Sequence, residues 1–352
     1  MDYRKEIDEL VDLILKQDAS DLHLSVGRNP TIRVSGSLIP LLKRAVVTEL
    51  DMQGFIDVFL TKEAKEILAK TRDVDFSYNL THARFRGHIY YRQAVPAIAL
   101  RLIPKVIRTL TELNLPPILE TFTRKTQGFF LVVGPIGQGK TTTLASLIEM
   151  INQTRTEHIL TIEDPIEYLF DSKKSIVDQR EVRTDTPDFA DALTAMFRED
   201  IDVCMVGEMR DIATMATAVT AAETGHLIFS TLHTNNASQT IDRIIDSFPG
   251  SQQDQIRVQL ASSLSGIFSQ RLIPRISGGL IPAYELLINN AAVSNLIRER
   301  RTHEINTVIE TSSQLGMIDM NRSLAELVRA GEISVENAYV YSSNPKSLER
   351  LL

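Results

Sequence analysis

Apolar residues at the start of the chain recur at helical spacing. Ile7, Leu10, Val11 and Ile14 share one face, which predicts an amphipathic helix. Alternation then takes over: Leu22, Leu24 and Val26 form one set and Ile32 and Val34 another, with Ser35-Gly36-Ser37 supplying a turn. Residues 51–70 return to a helical pattern, and residues 84–91 and 97–102 read as strands. Helices flanking a run of strands predict an α+β domain over residues 1–104, followed by a linker at 105–117 that runs to Pro117.

From Gly128 the pattern changes. Apolar strands at 129–133, 158–162, 202–206 and 227–231 alternate with helical stretches, which predicts an α/β domain with a parallel sheet over residues 118–352. One helix is expected from Asp211 to Thr224, with Gly225 placed to end it. Beyond about residue 251 the pattern is mostly helical.

A chain of 352 residues fits two domains of ordinary size. With no Trp and 6% aromatics, the cores are expected to be aliphatic. Lys and Arg number 38 against 45 Asp and Glu, a formal charge of −7 that disfavours a broad nucleic-acid surface. The single cysteine, Cys204, lies in the run Val203-Cys204-Met205-Val206 and reads as a small buried residue. No Cys/His cluster suggests zinc. The opening MDYRKEIDEL lacks the apolar segment of a signal peptide, and no run approaches the ~18 apolar residues of a membrane span. A cytoplasmic location is expected, with any membrane association made through a partner.

Chemistry enters at GPIGQGKT. Gly134, Pro135, Ile136, Gly137, Gln138, Gly139, Lys140 and Thr141 follow G-x-x-x-x-G-K-[ST], directly after an apolar strand and before a helix running from Thr142 to Ile151. Such a loop turns backbone N–H groups toward phosphate oxygens, and glycines keep side chains out of the way. Lys140 is placed to reach the β- and γ-phosphates of a nucleoside triphosphate such as ATP, and the Thr141 hydroxyl to bind Mg²⁺.

Two other strands end in carboxylates, at Glu163-Asp164-Pro165-Ile166-Glu167 and at Gly207-Glu208. At the carboxyl ends of parallel strands they face the crevice where phosphates lie. One could hold Mg²⁺ and another orient the attacking water. His226 and His233 bracket the core strand Leu227–Leu232, so one or both could sense a γ-phosphate. Arg84, Arg86, Arg92 and Arg101 fall on the two later strands of the N-terminal domain, with Arg101 opposite Ile98, Leu100 and Leu102. They form either a solvated basic face or a set of arginines aimed at a triphosphate.

These motifs resemble the secretion ATPase superfamily, and within it the retraction ATPases of type IV pili. GPIGQGKTTTL is similar to the family's Walker A, ILTIEDPIEY to its Asp box, DVCMVGEMRD to its Walker B and TGHLIFSTLHTN to its His box. ASDLHLSVG, QLASSLSGIFSQRLIP and VSNLIRERRTHEI match further segments, so the resemblance covers nearly the whole chain. Four positions depart from the pattern: Ile136 and Gln138 in the loop, Ile201, and Ser294 in the segment linked to retraction.

The resemblance implies a homo-hexameric ring of subunits, each with a PAS-like N-terminal domain and a RecA-like P-loop ATPase domain. It implies hydrolysis of ATP with Mg²⁺, coupled to removal of pilin at the pilus base and so to twitching motility. It implies an inner-membrane platform protein as partner and pilin as an indirect one, with no nucleic acid and no zinc. Arg86 and Arg101 become the γ-phosphate arginines, supplied to a neighbouring subunit. Glu163 becomes the water-activating group and Glu208 the Mg²⁺ support, with Thr142 completing the phosphate loop. An accessory paralogue and an extension or type II secretion ATPase are the near alternatives. A nucleotide-controlled assembly module with little turnover is a more distant one. One cysteine and a start almost directly at the PAS-like region favour the retraction branch.

Overall fold

Asp2 accepts a hydrogen bond from the Lys5 N–H and so caps the first helix, Tyr3–Lys16, which buries Ile7, Leu10, Val11 and Ile14 as the spacing predicts. The computed structural model describes residues 2–17, 19–34, 37–80, 83–103 and 106–352. Ser35 and Gly36 of the expected turn, and Pro104, lie outside them. Two compact units emerge. One takes in the chain up to Val106 together with Glu167–Leu169, and the other holds Ile107–Ile166 and Phe170–Leu352.

The first unit is built on a six-stranded sheet of β1 (Ala19–Ser25), β2 (Thr31–Val34), β3 (Ser37–Pro40), β4 (Asp73–Asn79), β5 (Arg84–Arg92) and β6 (Val95–Ile103). Their order is β3-β2-β1-β6-β5-β4, every pair antiparallel. Leu22, Leu24, Phe85, Ile89, Ile98 and Leu100 bury their side chains in one core with the first helix. The helical stretch expected over 51–70 is two helices, Glu49–Phe59 and Lys62–Thr71. The break has a local cause: Leu60 is extended, and the Thr61 hydroxyl accepts from the Ala64 N–H to start the second helix. β4 carries a weak strand signal because Asp73, Asp75, Ser77 and Asn79 share one face.

The second unit holds β7 (Gly128–Val133), β8 (His158–Glu163), β9 (Ile176–Glu181), β10 (Val203–Val206), β11 (Leu227–Leu232), β12 (Leu264–Pro274) and β13 (Leu280–Ile288). Their order is β13-β12-β7-β11-β10-β8-β9. The six strands from β12 to β9 run parallel, and β13 is antiparallel. Every side chain of β7, β10 and β11 is buried, as expected of strands covered on both faces. Cys204 lies in β10, and burial pushes its thiol pKa up. Asp211 caps the helix Ile212–Glu223, and Gly225 follows it with φ +115°.

The mostly helical reading beyond residue 251 needs correction. After the helix Gly250–Ser263 the chain forms the β12–β13 hairpin, and only then returns to helices. Both faces of Leu264-Ser265-Gly266-Ile267-Phe268-Ser269 are buried, so the segment shows no strand alternation. Residues 107–117 pack within the second unit, with Leu110 and Leu115 buried. Among the described residues no helix is long and apolar enough to cross a membrane.

Candidate active site

Four neighbouring parallel strands deliver the candidate residues to one edge of the sheet. The carboxyl end of β7 leads into the loop at Gly134, that of β11 into His233, that of β10 into Glu208, and that of β8 ends at Glu163. In an open α/β sheet this edge is where ligands bind.

The loop folds as its glycines allow. Gly134, Gly137 and Gly139 have φ of +147°, +77° and +76°, the left-handed region that side chains avoid. Gly139 is the N-cap of the helix Lys140–Thr154, so the positive end of that helix faces the loop. Pro135, Thr141 and Thr142 are half-buried, whereas Ile136 projects at 83% exposure. A cleft of about 420 Å³ opens beside Gly139, Thr142 and Thr143, bounded across the way by Arg108, Asn114 and Pro282.

Lys140 is buried. Its ammonium donates to the Gly134 carbonyl at 2.9 Å and the Pro135 carbonyl at 3.0 Å, and meets His233 Nδ1 at 3.2 Å. An ammonium only donates, so Nδ1 must accept and the ring proton sits on Nε2. Nε2 points toward Glu208, 3.8 Å from its carboxylate. Burial, and then the Lys140 charge, hold His233 below the usual histidine pKa, against the pull of Glu208. His233 is therefore a neutral link between the loop lysine and the β10 carboxylate. Arg210 pairs with Glu208 at 2.5 Å.

Glu163 is buried one strand further out. It accepts from the Thr161 hydroxyl at 2.7 Å and from Gln179 Nε2 at 3.2 Å. The adjacent strand end approaches closely: a Cβ on Gly207 would lie 3.6 Å from the Glu163 Cα. Carboxylate and hydroxyl oxygens at Glu208 and Thr141 are hard donors of the kind Mg²⁺ accepts.

The remaining candidates lie elsewhere. His226 is at the opposite end of six-residue β11 from His233, roughly 20 Å away at strand rise. Its Nδ1 meets the Ala221 carbonyl at 3.1 Å and its ring stands against Phe197. Within the chain it does not join the loop. Arg86 and Arg101 are in the first unit, where they are cross-strand partners on β5 and β6 and so share a face. Arg101 pairs with Asp21 at 3.0 Å while remaining 70% exposed. Arg84 is buried and donates to Ser77, and Arg92 donates to the Val26 carbonyl.

Gln270 joins the site without any motif in the sequence to mark it. It is buried on β12, and its side chain donates to the Gln138 carbonyl at 2.7 Å and accepts from the Thr143 hydroxyl at 2.7 Å. It stands in the polar triplet Ser269-Gln270-Arg271, where nothing in the pattern sets a glutamine side chain apart from a solvated one.

Comparison with known proteins agrees with this geometry. The profile of the Type II/IV secretion system protein family matches residues 3–314. The chain belongs to this family. It is 41% identical over 347 residues to the type IV pilus retraction ATPase PilT of Pseudomonas aeruginosa, covering 97% of this chain and 99% of that protein. It is 35% identical over 349 residues to the type IV pilus ATPase PilU of the same organism, covering 99% of this chain and 91% of the relative. The crystal structure of the pilus retraction motor PilT with bound ADP matches with a TM-score of 0.92 at 45% identity, over 97% of this chain and 98% of that one. The α/β fold is thus that of a PilT-like ATPase.

Proposed function

We propose that the chain is the subunit of a homo-hexameric ATPase motor that retracts type IV pili and supports twitching motility. The observation that carries this reading is the link Lys140–His233–Glu208 at a phosphate-type loop, in a chain 41% identical over 97% of its length to a pilus retraction ATPase. On this reading residues 118–352 are a RecA-like ATPase domain, residues 1–104 a PAS-like domain and residues 105–117 a linker.

The backbone N–H groups of Gly134 to Thr142 would cradle the ATP phosphates, and the cleft beside Gly139 would take the nucleoside. Lys140 would exchange its carbonyl partners for β- and γ-phosphate oxygens. Thr141 and Glu208 would hold Mg²⁺, which would offset charge on the phosphate oxygens. Glu163 would orient the attacking water and take its proton, with Thr161 and Gln179 fixing its carboxylate. Neutral His233 would keep Glu208 in register with Lys140. Arg86 and Arg101 would serve the triphosphate of a neighbouring subunit. His226 stays a candidate only for such a contact across a subunit boundary. The ring would act at the cytoplasmic side of the inner membrane, through a platform protein, with pilin as its indirect load.

Likeness to PilU favours a second reading, an accessory ATPase of the same machinery. Deleting the gene and counting surface pili and twitching separates the options. A retraction motor gives more pili and less motility. Loss of pili would point to extension, and unchanged pili and motility to an accessory role.

A further inference from the structure

We propose that Gln138 and Gln270 form a reciprocal amide latch that fixes the crest of the phosphate loop to β12, and that the latch slows nucleotide release. The proposal rests on the phosphate-loop reading above.

β12 pairs with β7 only as far as Ser269↔Val133, because β7 then turns into the loop. Residues 270–274 run on past that end, and their backbone on the β7 side needs partners from the loop. Gln138 supplies one: its Oε1 accepts from the Leu272 N–H at 2.6 Å. Gln270 returns the bond, since its Nε2 donates to the Gln138 carbonyl at 2.7 Å. Main-chain partners set both amide orientations, because an N–H only donates and a carbonyl only accepts. The Gln270 Oε1 also accepts from Thr143, in the first turn of the following helix. One buried amide therefore ties crest, helix start and sheet together.

The loop lies directly on this seat. A Cβ on Gly134 would come 2.5 Å from the Gln270 carbonyl oxygen, and one on Gly139 would come 3.0 Å from its Nε2. Glycine at these positions thus serves contact with β12 as well as access for phosphate.

A loop held in its binding conformation loses less freedom when nucleotide arrives, so it holds nucleotide longer. Gln138 and Gln270 are positioning residues, acting through the loop backbone. The test uses full-length protein and a fluorescent ADP analogue in stopped-flow release. Gln138→Ala and Gln270→Leu should each speed release about three- to tenfold, the range expected for about one net hydrogen bond. The double variant should be little worse than the weaker-binding single one, because both bonds hold the same crest. The effect should fall on KM for ATP more than on kcat. Hydrogen exchange gives a readout that general destabilisation would not confine: Gln138→Ala should raise exchange in the 270–274 peptide and leave β10 unchanged. Release and exchange at wild-type rates in Gln138→Ala would overturn the latch while leaving the phosphate loop standing. Failure of the wild-type protein to bind the analogue would overturn both.

Discussion

Glu163 and Glu208 follow adjacent strands but have different surroundings, and we propose that this difference divides their work. Glu208 faces a cationic side, with Arg210 at 2.5 Å and His233 leading to Lys140. Glu163 accepts from the neutral donors Thr161 and Gln179, which orient its carboxylate. Glu163→Gln should therefore bind Mg-ATP with near-normal affinity and lose hydrolysis, since it keeps shape but not basicity. Equilibrium binding and turnover on the same sample check this. Weakened binding in Glu163→Gln with retained binding in Glu208→Gln would reverse the roles. A second residue-scale prediction concerns stability. Glu285 is buried on β13, accepts from the Ala237 N–H at 2.8 Å, and lies near Asp319 and Arg271. Burial pushes its pKa from the ordinary 4.5 up to about 7. The folded chain then binds the proton more tightly than the unfolded chain. Its contribution is fully present below pH 4.5 and is lost as pH rises through about 7. Glu285→Gln keeps the acceptor without the charge. It should match wild type near pH 4 and exceed it at pH 8 by up to roughly 3 kcal/mol in denaturant unfolding. Lys140, Thr141, Glu163 and Glu208 could be found in sequence because each stands in a patterned motif. Gln270 and Glu285 could not, because a polar residue outside any patterned motif shows its partners only in the folded chain.

Elements divide along the same physical line. β7, β8, β10 and β11 were readable as short apolar runs separated by helical stretches and turn residues. The β12–β13 hairpin was not, because serines and a glycine break the apolar run while the fold buries both faces. Gly266 shows what those small residues do. A Cβ there would meet the Leu287 carbonyl oxygen at 2.7 Å and the Phe122 ring at 2.8 Å, where the β7–β12 register shifts. Gly266→Ala should destabilise the second unit by about 1–3 kcal/mol through overpacking. Differential scanning calorimetry should record a lower midpoint, and an unchanged midpoint would argue that β12 relaxes without cost. The break between Glu49–Phe59 and Lys62–Thr71 belongs here too: Thr61 is a good N-cap, but the apolar period runs through it.

At the scale of the molecule, charge and partition carry the argument. Arg86 and Arg101 stand side by side on a unit separate from the phosphate loop, and Arg101 is mostly exposed despite its pairing with Asp21. An arginine delivered to a phosphoryl-transfer transition state is worth about 10³ to 10⁵ in rate in well-studied NTPases. If these arginines act across a subunit boundary, Arg86→Ala and Lys140→Ala subunits should each be inactive alone and recover turnover when mixed. No recovery at any ratio, with mixed rings verified by native mass spectrometry, would mean each subunit serves its own site. The two arginine-bearing strands are legible as strand-like stretches in the sequence, whereas their pairing is seen only in the fold. Whether they serve a neighbour is not legible there, because one chain's pattern does not encode what a second copy brings.

ATP turnover by the purified full-length protein, wild type against Lys140→Ala, tests the account most directly. Wild type should release phosphate steadily in a Mg²⁺-dependent reaction, and Lys140→Ala should fall to background with its fold intact by circular dichroism. Turnover in Lys140→Ala close to that of wild type would contradict it.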